Sequence, residues 1–357
     1  MSEFDSQNTT AQAIAEPPET PVQPQSDPAD HDSSPAETTA ARVAWMQQEI
    51  LARQKRWFRI AGVLFVATCL STWMAGGLQY AVAVMAILVA HELGHYFQAL
   101  RYRVPASPPF FLPMPFSPIG TMGAVIFQSP GYADRKAMFD IAISGPLAGL
   151  VLALPCAWFG VAGLAEFGID AAKTVFVNPE DVGLVFGDPM ILQWMYEFHF
   201  GPLAADEQVM LNPLLFAGWV GIFITALNLL PVGQLDGGHI LYTLIGRKAH
   251  FAAYAVIASA AGWMIYSHDM AYGIFLLLLL KMGPKHPPTR DDTVPLGATR
   301  TVLGWATLAF LIIGFTPQPI MTFEVDEAAP QQEAAPQQEA APQQVVRQID
   351  TRVAANL

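Results

Sequence analysis

The sequence predicts an all-α polytopic membrane protein of six or seven transmembrane helices with disordered termini. Charged side chains make up 13% of the 357 residues against 53% hydrophobic ones, about half the charged share of an ordinary soluble domain. The charges bunch at the ends and in short clusters, leaving apolar stretches long enough to cross a bilayer. The Lys and Arg residues also fall on alternate sides of those stretches, as cytoplasmic loops require.

Along the chain, residues 1–45 read as a disordered acidic tail. The first 40 contain eight carboxylates, six prolines and no Lys or Arg, too little apolar surface to fold. The segment lacks the basic start and apolar centre of a secretory signal, so the mature chain is expected to begin at Met1. Residues 46–322 read as the membrane domain. Its first crossing is expected at 58–75 and its second at 78–100, with Gly76 and Gly77 as the turn. Further spans are expected at 137–163, 208–235, 249–267, 270–282 and 301–316. The sixth is short for a bilayer, which leaves the count at six or seven. Residues 323–357 carry three tandem EAAPQQ repeats from Glu327 to Gln344 and read as a second disordered tail.

With the N-terminus inside, the only Lys and Arg on the outer side are Lys173, Arg347 and Arg352, and the other 15 of 18 fall on the inner side. The outer loop from 161 to 210 holds eight carboxylates and one Lys. An integral, multi-pass protein with a cytoplasmic N-terminus is expected, in a bacterial inner membrane or a membrane of bacterial descent, the former favoured. The net charge of -12 excludes the clustered basic face that nucleic acid requires. Cys69 and Cys156 both sit in apolar runs, and two thiols cannot build a disulfide framework or a Cys-based metal site.

Ionisable residues inside spans mark functional sites. The second span contains His91-Glu92-Leu93-Gly94-His95, an HExxH motif. Positions i and i+4 share a helix face, so both imidazoles can reach one Zn²⁺ while Glu92 sits beside the water the metal activates. Two histidines and a glutamate would otherwise have to satisfy one another in a packed or lipid-facing helix, which their desolvation disfavours. A catalytic zinc needs a third protein ligand and one open position. Asp236 is the best candidate: it ends the expected fourth span, in a stretch that Pro231, Gly233, Gly237 and Gly238 must break. Broken backbone at membrane depth is tolerated only against protein or a watery cavity. His239 would close the open position and reads as a supporting or structural histidine. His31, His199, His250, His268 and His286 fall in tails or loops and are expected to be solvated.

HELGH in one span and N-x2-P-x4-L-D-G, Asn228 to Gly237, at the end of another give a sequence that resembles the site-2 proteases, intramembrane zinc metalloproteases of peptidase family M50, over residues 58–290. The resemblance implies one zinc per chain held by His91, His95 and Asp236. It makes Glu92 the general base and gives Asn228 a place beside the substrate carbonyl or its oxyanion. It also implies a small membrane-dipping β-hairpin after the second helix. There the run Gly120, Thr121, Met122, Gly123 and Ala124, within GTMGAVIF, would offer an edge to an unwound, membrane-anchored protein substrate. Gly145 and Gly149 of the third span are spaced for close packing against the catalytic helix. With no inserted PDZ domain or following nucleotide-binding domain, substrate selection would fall to the outer loop with Trp194, Tyr196 and Phe198, or to the tails. The expected function is hydrolysis of a peptide bond within or near the cytosolic end of a substrate transmembrane helix. The alternative is a metal transporter or sensor using the same His and Asp residues, and a non-catalytic scaffold is the third reading. Lys285 to Asp292, KHPPTRDD, resembles a loop in some bacterial and plastid members and suggests no mechanism by itself.

Overall fold

The computed structural model describes residues 35–129, 131–165, 176–177, 184–202, 208–209, 211–267 and 272–322. The expected tails at 1–34 and 323–357, and most of the outer loop, lie outside the described residues, as do His31 and His268. The chain divides into two units, Met1–Phe58 and Arg59–Leu357. In the first, only the helix from Pro35 onward is described, and everything below concerns the second.

Helix α1 spans Pro35–Arg101 and is broken at one residue, Gly77, with φ 78° and ψ 178°. Only glycine adopts such a backbone without strain, so the expected turn at Gly76–Gly77 is where the regular backbone fails. Strands β1 (Phe110–Met114) and β2 (Gly120–Val125) follow and pair antiparallel, with a register shift between Phe111 and Pro113 where proline cannot donate to the ladder. This hairpin is bolted to α1 by two buried bonds: Ser71 Oγ donates to the Gly120 carbonyl at 2.6 Å and Tyr80 Oη donates to that of Ile119 at 2.6 Å.

Helix α2 covers Arg135–Ala165, α3 Met190–Phe200 and α4 Pro213–Asn228. Asn212 caps α4, its Oδ1 accepting from the Leu215 amide at 2.8 Å. Tyr80, Val84 and Ile87 of α1, Ala153 and Ala157 of α2, and Leu215, Trp219 and Ile222 of α4 belong to one buried cluster. Small residues set its tightness. A Cβ on Gly218 would stand 2.4 Å from the Ala157 nitrogen, so α2 and α4 touch backbone to backbone, as small-residue helix pairs do.

The expected fourth span differs from the observed one. Helix α4 stops at Asn228, the chain passes through an irregular turn, and Asp236 is the first residue of a separate helix, α5 (Asp236–Ile245). Gly237 and Gly238 permit this, because a side chain on Gly237 would collide with the Leu229 carbonyl at 1.9 Å and one on Gly238 with that of Gly233 at 2.5 Å. The remaining helices are α6 (Ala249–Ser267), α7 (Gly273–Met282) and α8 (Ala298–Gly314). Asp140 of α2 is gripped by Arg300 of α8 through Nε at 2.7 Å and a second guanidinium nitrogen at 2.9 Å, and it also accepts from the Tyr102 hydroxyl.

Two small strand pairs were not foreseen. Strand β3 (Phe176–Val177) pairs with β5 (Gln208–Val209), and β4 (Leu184–Phe186) with β6 (Ile320–Thr322), all antiparallel. The fold is therefore mostly rather than wholly helical. Its exterior is apolar: Val63, Met74, Val151, Phe251, Ile265 and Ile312 are all largely exposed, an arrangement suited to lipid and unsuited to water. Three segments, Lys55–Arg101, Arg135–Leu164 and Asp236–Ser267, are long and apolar enough to cross a membrane. Pro213–Asn228, Gly273–Met282 and Ala298–Gly314 are shorter apolar helices.

Candidate metal centre

His91 and His95 lie one turn apart on α1 and both are buried, as is Glu92 between them. Asp236, at the start of α5, brings Oδ2 to 3.2 Å from His91 Nε2 and 3.3 Å from His95 Nε2. The ligand atoms of the three residues all lie within 4.8 Å of one another, and they form the one such metal-competent group among the described residues. A tetrahedral zinc with donors at 2.0–2.1 Å holds those donors about 3.3 Å apart, so the observed spacing fits such an ion. Asn228, at the last turn of α4, points its Nδ2 to within 3.4 Å of His91 Nε2. Four residues from three helices thus meet at one point, and Glu92 lies within electrostatic range of both imidazoles and Asp236.

The imidazoles are oriented from behind. His95 Nδ1 donates to the Ile141 carbonyl at 2.8 Å, which fixes the tautomer and leaves a lone pair on Nε2 facing Asp236. Helix α2 supplies the remaining wall. A Cβ on Gly145 would stand 2.0 Å from His95 Nε2, one on Gly149 would stand 3.1 Å from His91 Nδ1, and one on Gly94 would stand 2.5 Å from the Ser144 carbonyl. The glycines expected to pack helix on helix therefore pack directly on the imidazole rings. Ile141 was not foreseen, since a backbone carbonyl leaves no mark in sequence.

These features, an HExxH turn completed by an aspartate from a broken helix junction, occupy the stretch that matches the model of peptidase family M50, residues 79–267. The chain belongs to peptidase family M50. Among curated proteins, this M50 chain is similar to the probable zinc metalloprotease EGY1, chloroplastic, of Oryza sativa subsp. japonica, 30% identical over 69% of this chain and 41% of that protein. The Arabidopsis thaliana protein of the same name is 29% identical over 67% and 43%, and the probable zinc metalloprotease EGY2, chloroplastic, of Arabidopsis thaliana is 31% identical over 61% and 38%. The chain spans less than half the length of these relatives. Their chloroplastic names run against the bacterial inner membrane expected from the sequence. No solved structure matches the chain.

The hairpin residues divide by burial. Gly120, Thr121 and Gly123 are buried, Ala124 is half-buried and Met122 faces out. Gly123 lies against Ile224 of α4, one turn before Asn228. Of the outer-loop aromatics, Trp194 and Phe198 are exposed, but Tyr196 is buried and donates to Asp188 at 3.2 Å, which makes it a core residue.

Three histidines expected in solvent are not there. His286 is 5% exposed and its Nε2 lies 2.5 Å from Nδ1 of His239. His250 is half-buried with Nε2 at 3.3 Å from the His286 carbonyl. His199 packs edge-on to Trp158. Sequence placed them in loops, and loops that fold back onto helices bury their side chains.

Proposed function

We propose that this M50 chain is a zinc endopeptidase that cuts a membrane-anchored protein within or near the cytosolic end of its transmembrane helix. On this reading six or seven helices cross the bilayer, the N-terminus is cytoplasmic and the β1–β2 hairpin dips into the membrane. The observation that carries it is the convergence of His91, His95 and Asp236 within 4.8 Å, beside the buried Glu92.

His91 and His95 through Nε2, and Asp236 through Oδ2, would hold the ion, and the relatives named as probable zinc metalloproteases support zinc. Bound there, zinc supplies Lewis acidity and lowers the pKa of water. Glu92 takes a proton from the attacking water and returns it to the departing amine nitrogen. Its burial keeps competing solvent away from that exchange. Asn228, with its amide 3.4 Å from His91 Nε2, donates to the oxygen on which negative charge develops. The run Gly120, Thr121, Met122, Gly123 and Ala124 presents a strand edge to the substrate. An α-helix hides its carbonyls in its own hydrogen bonds and must unwind before it can be cut.

The test is co-expression of the full chain with tagged single-span proteins, wild type beside Glu92→Gln. A shortened fragment that disappears in Glu92→Gln, with zinc content unchanged, is the expected result. Undiminished cleavage by Glu92→Gln overturns the reading, and metal bound with no proteolysis of any partner favours transport or sensing.

A further inference from the structure

The segment between α7 and α8 carries a histidine–tyrosine–aspartate array that the chemistry above does not use. His286 Nε2 meets His239 Nδ1 at 2.5 Å, and its ring stacks on Tyr242 with centroids 4.3 Å apart at 16°. Tyr242 Oη donates to Asp292 Oδ2 at 2.9 Å, and Thr289 Oγ1 donates to Oδ1 of the same carboxylate at 2.6 Å. At the other end of the segment, the Pro284 carbonyl accepts from the Gly233 amide at 3.2 Å. His239 and Tyr242 lie on one stripe of α5, and His239 is one turn from Asp236.

Helix α5 needs outside support. It has ten residues, fewer than an isolated helix needs to persist, and the turn before it is irregular. Its far end is held by Arg135, whose guanidinium donates to the carbonyls of Thr243 at 2.6 Å and Leu244 at 3.2 Å, groups a helix end leaves unpaired. Its near end, where Asp236 sits, is held by the 284–292 segment. The direction of the histidine contact follows from its neighbours. His286 Nδ1 faces the Pro287 carbonyl, which can only accept, so Nδ1 carries the proton and Nε2 a lone pair. Burial, then His239 beside it, holds His286 down to about 3, so the ring is neutral. His239 Nδ1–H is therefore the donor.

We propose that residues 284–292 form a clamp that positions the third metal ligand: His286, through His239 and Tyr242, holds the first turns of α5 so that Asp236 faces His91 and His95. His286 is thus a positioning residue, and the inference rests on the metal site proposed above. Supports of this kind typically contribute about 10- to 100-fold in metal affinity.

The test is zinc affinity of the purified full chain by competition with a chromophoric chelator, together with the visible spectrum of the Co²⁺-loaded protein. His286→Leu fills the space without an acceptor. It should bind zinc about 10- to 100-fold more weakly and alter the cobalt bands, while His286→Gln, whose amide oxygen can accept from His239, should recover most of both. Tyr242→Phe removes only the bond to Asp292 and should weaken binding by a smaller factor, which keeps the test decisive if His286→Leu does not fold. Affinity and spectrum unchanged in both His286→Leu and Tyr242→Phe, or no recovery by a folded His286→Gln, overturns the clamp. Wild-type protein that binds no zinc, or a His91→Ala variant that binds as well as wild type, overturns instead the metal site itself.

Discussion

Replacing Gly145 by alanine adds one methyl group and should disable the centre. That methyl would stand 2.0 Å from His95 Nε2, 2.4 Å from Cε1 and 2.5 Å from Cδ2, where ordinary contact begins at 3.4 Å. Something must move by about 1.4 Å. The ring cannot turn aside without breaking the 2.8 Å bond from Nδ1 to Ile141. Helix α2 cannot simply follow, because Gly94 and Ser144 already bring the two backbones together and α4 packs against the other side. Metal–donor distances tolerate shifts of about 0.2 Å, and a 1 Å misplacement can cost about 100-fold in rate. We therefore expect Gly145→Ala to lose at least about 100-fold in zinc affinity and in cleavage, with an overpacking cost of about 1–3 kcal/mol. Gly149→Ala is the internal control: its methyl meets His91 Nδ1 at 3.1 Å, so a few tenths of an ångström suffice and the loss should be roughly tenfold or less. Chelator competition and fragment formation from a tagged substrate measure both. Wild-type affinity in Gly145→Ala, or a Gly149→Ala variant more damaged than Gly145→Ala, refutes the reasoning.

Stripping the metal with a chelator should lower thermal stability reversibly, by about 4 kcal/mol where free zinc had stood at 1,000 times its dissociation constant, and unchanged melting would argue that the three donors hold no ion. Burial, opposed by the Tyr196 hydroxyl, pushes the Asp188 carboxyl up to about 7. The folded chain keeps that proton after the unfolded chain has released it, so stability should fall as pH rises from about 4 to about 7, by up to about 4 kcal/mol, and level off above. Melting curves of Asp188→Asn that retain the same slope would show another group is responsible. Arg300→Met leaves Asp140 with the Tyr102 hydroxyl alone, and because the guanidinium is one-third exposed a loss of about 1–3 kcal/mol is expected rather than the larger cost of a sealed pair; equal melting temperatures would count the pair as energetically neutral.

The metal centre was largely legible because its parts are polar residues in apolar surroundings, where lipid leaves no bland use for them. HELGH announces its own geometry through helical spacing, and Asp236 was found because Pro231 and the glycines mark a break. The break itself was read one element short. Hydropathy sees 208–235 as one run, whereas folding back of the backbone at Gly237 and Gly238 makes Asp236 begin a helix instead of ending one. The role of Gly145 was half legible: spacing indicated a close approach, but not that the partner would be an imidazole. His286 was illegible, since its burial comes from tertiary folding of a proline-rich segment that carries no periodicity. Strands β3 to β6 escaped for the same reason, being two or three residues long and paired across the chain.

Ser71 and Tyr80 lie on opposite sides of the break at Gly77, yet both donate to adjacent carbonyls of the same hairpin. The ribbon is thus a splint across a fracture, and the glycine cannot serve as a free hinge while both rivets hold. A force applied to the ribbon reaches the arm bearing His91 and His95 through the Tyr80 hydroxyl. A polypeptide laid along that ribbon would load the very helix that carries the imidazoles, so its arrival need not leave the reacting groups undisturbed.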